Sequence, residues 1–201
     1  MLKVGLTGGL ACGKSFVAQS FGRLGCFVIE ADELGHRALA PGGEAYEPVI
    51  AEFGSEILTP AGEIDRRALA ARVFGSPERL ARLNSLVHPP VVRMEEQLLA
   101  EFAAREPHGI AVVAAAILIE TGSYRRFDRL ILVTCREEQQ IERAMRRDGA
   151  AAADIAARIG RQMPIDEKRK YADFVIDTSG EKSDTLRQTG EVFEALRRIQ
   201  S

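Results

Sequence analysis

The sequence predicts an α/β fold whose parallel sheet carries a phosphate-binding loop. Three observations predict it. Gly8, Gly13, Lys14 and Ser15 fit the spacing G-x-x-x-x-G-K-[ST] of a P-loop. Residues 2–6 before them read as a short apolar strand, and Val17, Phe21 and Leu24 after them recur at helical spacing up to a stop at Gly25. Residues 110–119 form a nearly unbroken apolar run, the pattern of a central parallel strand.

The residue types of the loop follow from what a triphosphate needs. Glycines let backbone N–H groups approach phosphate oxygens closely, and the following helix N-terminus adds partial positive charge. The loop 8–16 (Gly8, Gly9, Leu10, Ala11, Cys12, Gly13, Lys14, Ser15, Phe16) is therefore the expected nucleotide site. Lys14 is expected at the β- and γ-phosphates and Ser15 as a ligand of Mg²⁺. Cys12, inside the loop at a helix N-terminus, is expected to have a lowered thiol pKa and to react with alkylating agents, with ATP protecting.

Length and composition bound the class. The 201 residues suffice for one α/β domain with an inserted subdomain, and 46% hydrophobic and 28% charged residues are ordinary for a soluble protein. A net charge of −2 offers no global basic field for nucleic acid. Cys12, Cys26 and Cys135 are odd in number and form no C-x-x-C pair, which argues for a reducing compartment. The chain enters a strand at once without a signal peptide, and no apolar run is long enough to span a bilayer. A cytoplasmic enzyme or nucleotide switch is the expectation.

Taken in order, residues 26–29 form a second buried strand, followed by Glu30, Ala31 and Asp32. A carboxylate just past a strand's C-terminal end sits on the edge where open α/β sheets bind ligands, the edge the loop also occupies. Asp32 is thus either a general base or Mg²⁺ ligand, or a cap of the next helix. Residues 33–107 read as helical without a convincing strand, which is too long for an ordinary crossover and predicts a substrate-binding insertion. Within it, Tyr46, Val49, Ile50 and Phe53 share a face closed by Gly54. Asp65 caps a helix carrying Leu69, Val73 and Phe74, while Ser76 and Pro77 start another that His88-Pro89-Pro90 is expected to break. His88 reads as a cap, a packing residue or a substrate contact. Arg66 and Arg67 read as a solvated face or as forks for phosphate.

The apolar run 110–119 ends at Glu120, again at a strand edge, and the next strand covers Arg129 to Thr134. Neither ends in the Asp of a general ATPase, and no guanine motif N-K-x-D appears. Residues 137–171 are helical, with eight basic residues against four acidic ones between 143 and 170. Such a run is either a solvated face or an arginine-bearing lid that closes over the triphosphate. A last strand at 174–176 and a closing amphipathic helix from Ser183 complete the chain.

These residues together resemble the dephospho-coenzyme A kinase family. The landmarks are the loop from Gly5 to Ser15, Glu30-Ala31-Asp32, Phe53-Gly54, Asp65 to Leu69, Val73-Phe74, His88-Pro89, Leu118-Ile119-Glu120, Gln139, Arg143, Arg147, Gln162, and Ala172 to Asp177. The resemblance implies a P-loop kinase core of five parallel strands flanked by helices (residues 1–32, 108–136 and 172–201), a helical insertion that binds the CoA substrate (33–107) and a helical lid (137–171). It implies MgATP-dependent phosphorylation of the ribose 3′-hydroxyl of dephospho-CoA. Asp32 matches the presumed base and Arg147 a lid arginine over the phosphates, with Arg143 beside it. Arg66, His88 and Glu120 match substrate-side positions. ATP, Mg²⁺ and dephospho-CoA are the expected small-molecule partners of a monomer or weak homo-oligomer.

Four positions depart from the family pattern. Glu30 replaces an Asp, Phe16 a common Thr, Ala116 the Pro of a Pro-Leu-Leu-aliphatic-Glu motif, and Thr178 an Asn. Another nucleoside or nucleotide kinase, a nucleotide switch and a pure interaction module are the competing readings. The last has no use for Lys14 with Asp32.

Overall fold

A computed structural model describes residues 1–73 and 75–200. The chain divides into two compact units: residues 1–29 with 102–201, and residues 30–101.

The first unit is built on a five-stranded sheet. Its strands are β1 (Leu2–Gly8), β2 (Phe27–Glu30), β3 (Ile110–Ala114), β4 (Arg129–Thr134) and β5 (Phe174–Asp177), in the order β2-β3-β1-β4-β5. β1 lies at the centre and pairs in parallel with both neighbours, Leu6 opposite Ala114 on one side and Ile131 on the other. β4 in turn pairs in parallel with β5, Val133 opposite Ile176. The central strands are buried on both faces: Val4, Leu6, Val112, Ile131 and Val133 form one core with Val17, Phe21 and Leu196, and Ala111, Val113 and Leu132, which alternate with them, are buried on the opposite face. Val17 and Phe21 belong to α1 (Lys14–Arg23), which ends at Gly25 with φ 94°, as the apolar spacing and glycine stop predict. Leu196 belongs to α9 (Lys182–Gln200), the closing helix.

The run 110–119 is only half strand. β3 ends at Ala114, opposite Leu6, while β1 runs on to Gly8 paired with β4 alone. Ala115 donates one last backbone bond to Leu6. Beyond that point the chain leaves the sheet, with Ala116 O accepting from the Thr7 hydroxyl, and the apolar residues find another use. Leu118 and Ile119 turn aside and bury against Leu130, Tyr124, Phe127 and Met163.

The second unit is helical and has its own core. It contains α2 (Ala31–Leu39), α3 (Tyr46–Phe53), α4 (Arg66–Val73) and most of α5 (Pro77–Arg105). Ala38, Val49, Phe53, Ile57 and Leu69 are its buried centre. The predicted caps are in place. Asp65 Oδ1 accepts from the backbone N–H groups of Arg67 and Ala68, and Ser76 Oγ accepts from that of Arg79. Phe74, the expected third apolar residue of α4, lies outside the described residues.

The expected break at His88-Pro89-Pro90 does not occur: α5 continues through both prolines for 29 residues. An interior proline costs about 3 kcal/mol through the lost hydrogen bond and ring clash. Leu83, Leu86 and Val87 before the prolines, and Val91 and Met94 after them, all pack on the same core, and Pro90 is itself buried. Full burial of such a side chain contributes about 1.5–3 kcal/mol; these five are partly buried and contribute a fraction of that each, and their sum on both sides of the prolines offsets the local penalty.

Residues 137–171, the expected lid, form three helices of the first unit, α6 (Glu137–Asp148), α7 (Ala152–Ile159) and α8 (Ile165–Arg169).

Candidate active site

The loop after β1 is the centre of the site. A side chain at Gly8 would place its Cβ 2.5 Å from the carbonyl oxygen of Val133, and Gly13 holds φ 80°, so both positions need glycine. The loop's carbonyls are turned inward. Gly9 O accepts from Cys12 N–H, Gly13 O from Phe16 and Val17 N–H, and Cys12 O from the hydroxyl of Thr178 at 2.9 Å. The amides of Ala11, Gly13, Lys14 and Ser15 are left without an acceptor among the described residues. Together with the N-terminus of α1 they form an anion-binding nest. The Lys14 ammonium and the Ser15 hydroxyl are uncommitted as well: among the described residues neither makes a side-chain hydrogen bond or ion pair. Phe16 lies one residue further along α1, its ring under the Lys182 ammonium at 5.8 Å.

The loop is buttressed from β5 and α6. Thr178, just past β5, sits against Gly13, and Arg143 on α6 grips it twice, Nη1 to the hydroxyl at 3.0 Å and Nη2 to the carbonyl at 2.8 Å. Arg143 therefore acts on the loop through Thr178. Gln140, buried on α6, donates to Cys135 O and packs its Oε1 where a side chain at Gly9 would be.

Cys12 is not the reactive thiol that its position suggests. It is 1% exposed, and its thiol donates to Cys135. That hydrogen bond, with burial second, pushes the Cys12 pKa far up, while the same bond and the nearby Arg143 lower that of Cys135. Tertiary burial overrides the helix N-terminus, which acts only on a thiolate that water or a reagent can reach.

Of the remaining expected residues, Arg147 closes α6 with its guanidinium on the Asp148 carboxylate, Nε to Oδ1 at 2.7 Å and Nη2 to Oδ2 at 3.1 Å. Arg158 joins from α7 at 2.8 Å, and the two arginines hold the Asp148 pKa down at about 2. Glu120 lies in the turn after β3 and pairs with Lys168 of α8, Oε1 to Nζ at 2.7 Å. Lys168 was not singled out by the sequence: it stands in a basic run, yet it is fully buried. The one available signal was its spacing of three from Ile165, which puts it on the inner face of α8.

In the second unit Asp32 occupies the first turn of α2, two residues past β2. It caps nothing, is exposed, and its carboxylate has no hydrogen-bond or ion-pair partner among the described residues. Arg66, at the start of α4, is likewise exposed and without such a partner. His88 is half-buried in α5, and burial lowers its pKa below the usual histidine range. No group of three or more His, Cys, Asp or Glu among the described residues forms a metal cage. A separate cavity of about 480 Å³ lies by the N-terminal ends of the strands, lined by Gly25, His108, Gly109, Ile110, Phe193, Arg197 and Gln200; it contains none of the expected site residues.

Comparison with known proteins agrees with this geometry. A family model described as dephospho-CoA kinase matches residues 2–184. The chain is 40% identical over 198 residues to a dephospho-CoA kinase of Aquifex aeolicus, covering 98% of this chain and 99% of that one. It is 42% identical to one of Geobacter metallireducens over 188 residues, covering 94% and 93%. Among solved structures, TT1252 from Thermus thermophilus superposes with a TM-score of 0.80 at 33% identity, covering 97% of each chain. The dephospho-CoA kinase from Campylobacter jejuni gives 0.71 at 25%, covering 99% and 98%. A shikimate kinase from Acinetobacter baumannii, at 0.52 and 14% identity over 98% and 93%, shares the fold alone. With an intact phosphate loop on a β2-β3-β1-β4-β5 sheet and relatives matched over almost their whole length, this chain belongs to the dephospho-CoA kinase family.

Proposed function

We infer that this chain transfers the γ-phosphoryl group of ATP to the ribose 3′-hydroxyl of dephospho-CoA, the last step of coenzyme A synthesis. The family supports the reaction, and one observation carries it to these residues. Four loop amides with no acceptor stand beside an uncommitted Lys14, which is the equipment for holding a triphosphate and little else.

The units carry different parts of the chemistry. In the first, the amides of Ala11, Gly13, Lys14 and Ser15 and the Lys14 ammonium bind the phosphates. Ser15 Oγ, exposed on the first turn of α1, is a suitable single protein ligand for Mg²⁺, which takes most of its ligands from phosphate and water. When bound, that ion neutralises phosphate charge. Arg147, brought from Asp148 to the phosphates as the lid segment closes, offsets charge developing on the transferring group. In the second unit, Asp32 orients the 3′-hydroxyl and accepts its proton, and having no partner among the described residues leaves the carboxylate available. Arg66 pairs with substrate phosphate, and His88 meets substrate as a neutral imidazole. Glu120, held by Lys168, serves the substrate side from the first unit. The setting is cytoplasmic: no helix among the described residues is long and apolar enough to cross a membrane, and all three cysteines are free thiols.

The test is a coupled ADP-release assay with MgATP and dephospho-CoA, with adenosine and AMP as control acceptors. Turnover is expected with dephospho-CoA alone, falling at least ~100-fold in Asp32→Asn. Full turnover in that variant removes Asp32 as base; turnover with the controls alone overturns the substrate.

A further inference from the structure

One amide of the loop is held by a side chain. Leu10 N–H donates to Gln162 Oε1 at 2.9 Å, across 152 residues of sequence. Gln162 sits between α7 and α8, and its neighbour Met163 is fixed in the apolar cluster with Leu118, Ile119 and Leu130. On the other side, the buried Lys168 ties α8 to Glu120. The segment that presents Gln162 is thus pinned at two further points of the first unit, so the carboxamide is held at the loop by more than its own hydrogen bond.

The orientation of that carboxamide is fixed by chemistry. Leu10 offers only a donor, so the oxygen must face it, and the Nε2 group with its two N–H donors follows about 2.3 Å away on the same carbon. Among the described residues Nε2 has no acceptor. Leu10 is the third residue of the loop, ahead of the amides of Ala11, Gly13, Lys14 and Ser15 that lead into α1. The amides nearest the helix N-terminus take the inner phosphates, and the entry of the loop faces the outermost one. A donor pair held beside Leu10 therefore stands where only a γ-phosphate has an oxygen to offer.

We propose that Gln162 is a positioning residue for phosphoryl transfer that recognises the γ-phosphate: Oε1 anchors it to the Leu10 amide, and Nε2 donates to a γ-phosphate oxygen. The proposal rests on the kinase reading above. It gives the chain a means of telling ATP from ADP that Lys14 and the inner amides, which also meet the β-phosphate, do not supply alone.

The test measures nucleotide binding by calorimetry, with Mg²⁺ and without dephospho-CoA, using ADP and the non-hydrolysable triphosphate AMP-PNP. Wild type, Gln162→Ala and the isosteric Gln162→Glu are compared. Gln162→Ala is expected to weaken AMP-PNP about tenfold and ADP less than twofold, since one hydrogen bond to a charged group is lost only in the triphosphate. Gln162→Glu keeps the acceptor for Leu10 but sets a carboxylate beside phosphate, so it is expected to weaken AMP-PNP at least as much. Glutamate equal to wild type, or both nucleotides weakened equally in both variants, would reduce Gln162 to a structural anchor and overturn the proposal. Because dephospho-CoA is absent, these outcomes do not depend on the acceptor. A wild type that binds neither nucleotide would overturn the kinase reading first, and this proposal with it.

Discussion

Breaking the Glu120–Lys168 pair should cost different amounts from its two ends. Lys168 is fully buried, while the Glu120 side chain keeps 22% of its surface exposed, and their charged atoms are 2.7 Å apart. Glu120→Ala leaves an ammonium in the interior with no carboxylate beside it. Removing one partner of a buried pair in this way costs about 3–5 kcal/mol; the partial exposure of Glu120 sets the lower end, about 3 kcal/mol. Lys168→Met leaves a carboxylate that water already reaches, and methionine fills much of the volume of the lysine stem. That change should cost about 1 kcal/mol. For a chain of this size each kcal/mol shifts the melting temperature by roughly 2–4 °C. Thermal unfolding at neutral pH should therefore show a drop of roughly 6–12 °C for Glu120→Ala and of roughly 2–4 °C for Lys168→Met. Glu120→Ala with Lys168→Met should recover part of the loss of Glu120→Ala alone, because the stranded charge is gone. Equal losses from the two single substitutions, or no recovery in the double one, would refute the assignment of the cost to a buried, unpaired ammonium.

Lys14→Ala should lower kcat/KM for ATP at least ~100-fold, about 3 kcal/mol, with little change in melting temperature, because the side chain has no structural partner among the described residues. Cys12 should resist iodoacetamide in the folded protein and label on denaturation, as mass spectrometry of the alkylated peptide would show; Cys26, whose burial pushes its pKa up to about 12, should behave alike. Asp148 has its pKa lowered to about 2 by Arg147 and Arg158. A lowered carboxyl pKa contributes stability that is full above the unfolded value near 4 and is lost as pH falls through about 2. Solvent screening holds this to about 1 kcal/mol. Asp148→Asn should thus be less stable than wild type at pH 6, with the difference shrinking as pH falls towards 2 in urea denaturation.

The sequence by itself determined what is local or repeated at short range. The phosphate loop between strand and helix, the Asp65 and Ser76 caps and the glycine stops at Gly25 and Gly54 all lie within a few residues of the groups they satisfy. Five apolar runs were enough to place five strands, though not to order or end them. What only the tertiary structure decided depends on partners far along the chain. β3 stops at Ala114 although the apolar run goes on, because Leu118 and Ile119 bury in a separate cluster with Leu130. α5 passes through Pro89 and Pro90 because the core on both sides outweighs the local penalty. Cys12 sits at a helix N-terminus, which favours a thiolate, but Cys135 and burial hold it as a thiol. Lys168 belongs to a charged run that reads as solvated, and it is buried because Glu120, 48 residues earlier, supplies its counter-charge. Gln162 reaches Leu10 across most of the chain. Spacing reports which residues share a face of their own element; it carries no information about what that face meets, and burial, titration and strand ends are set there.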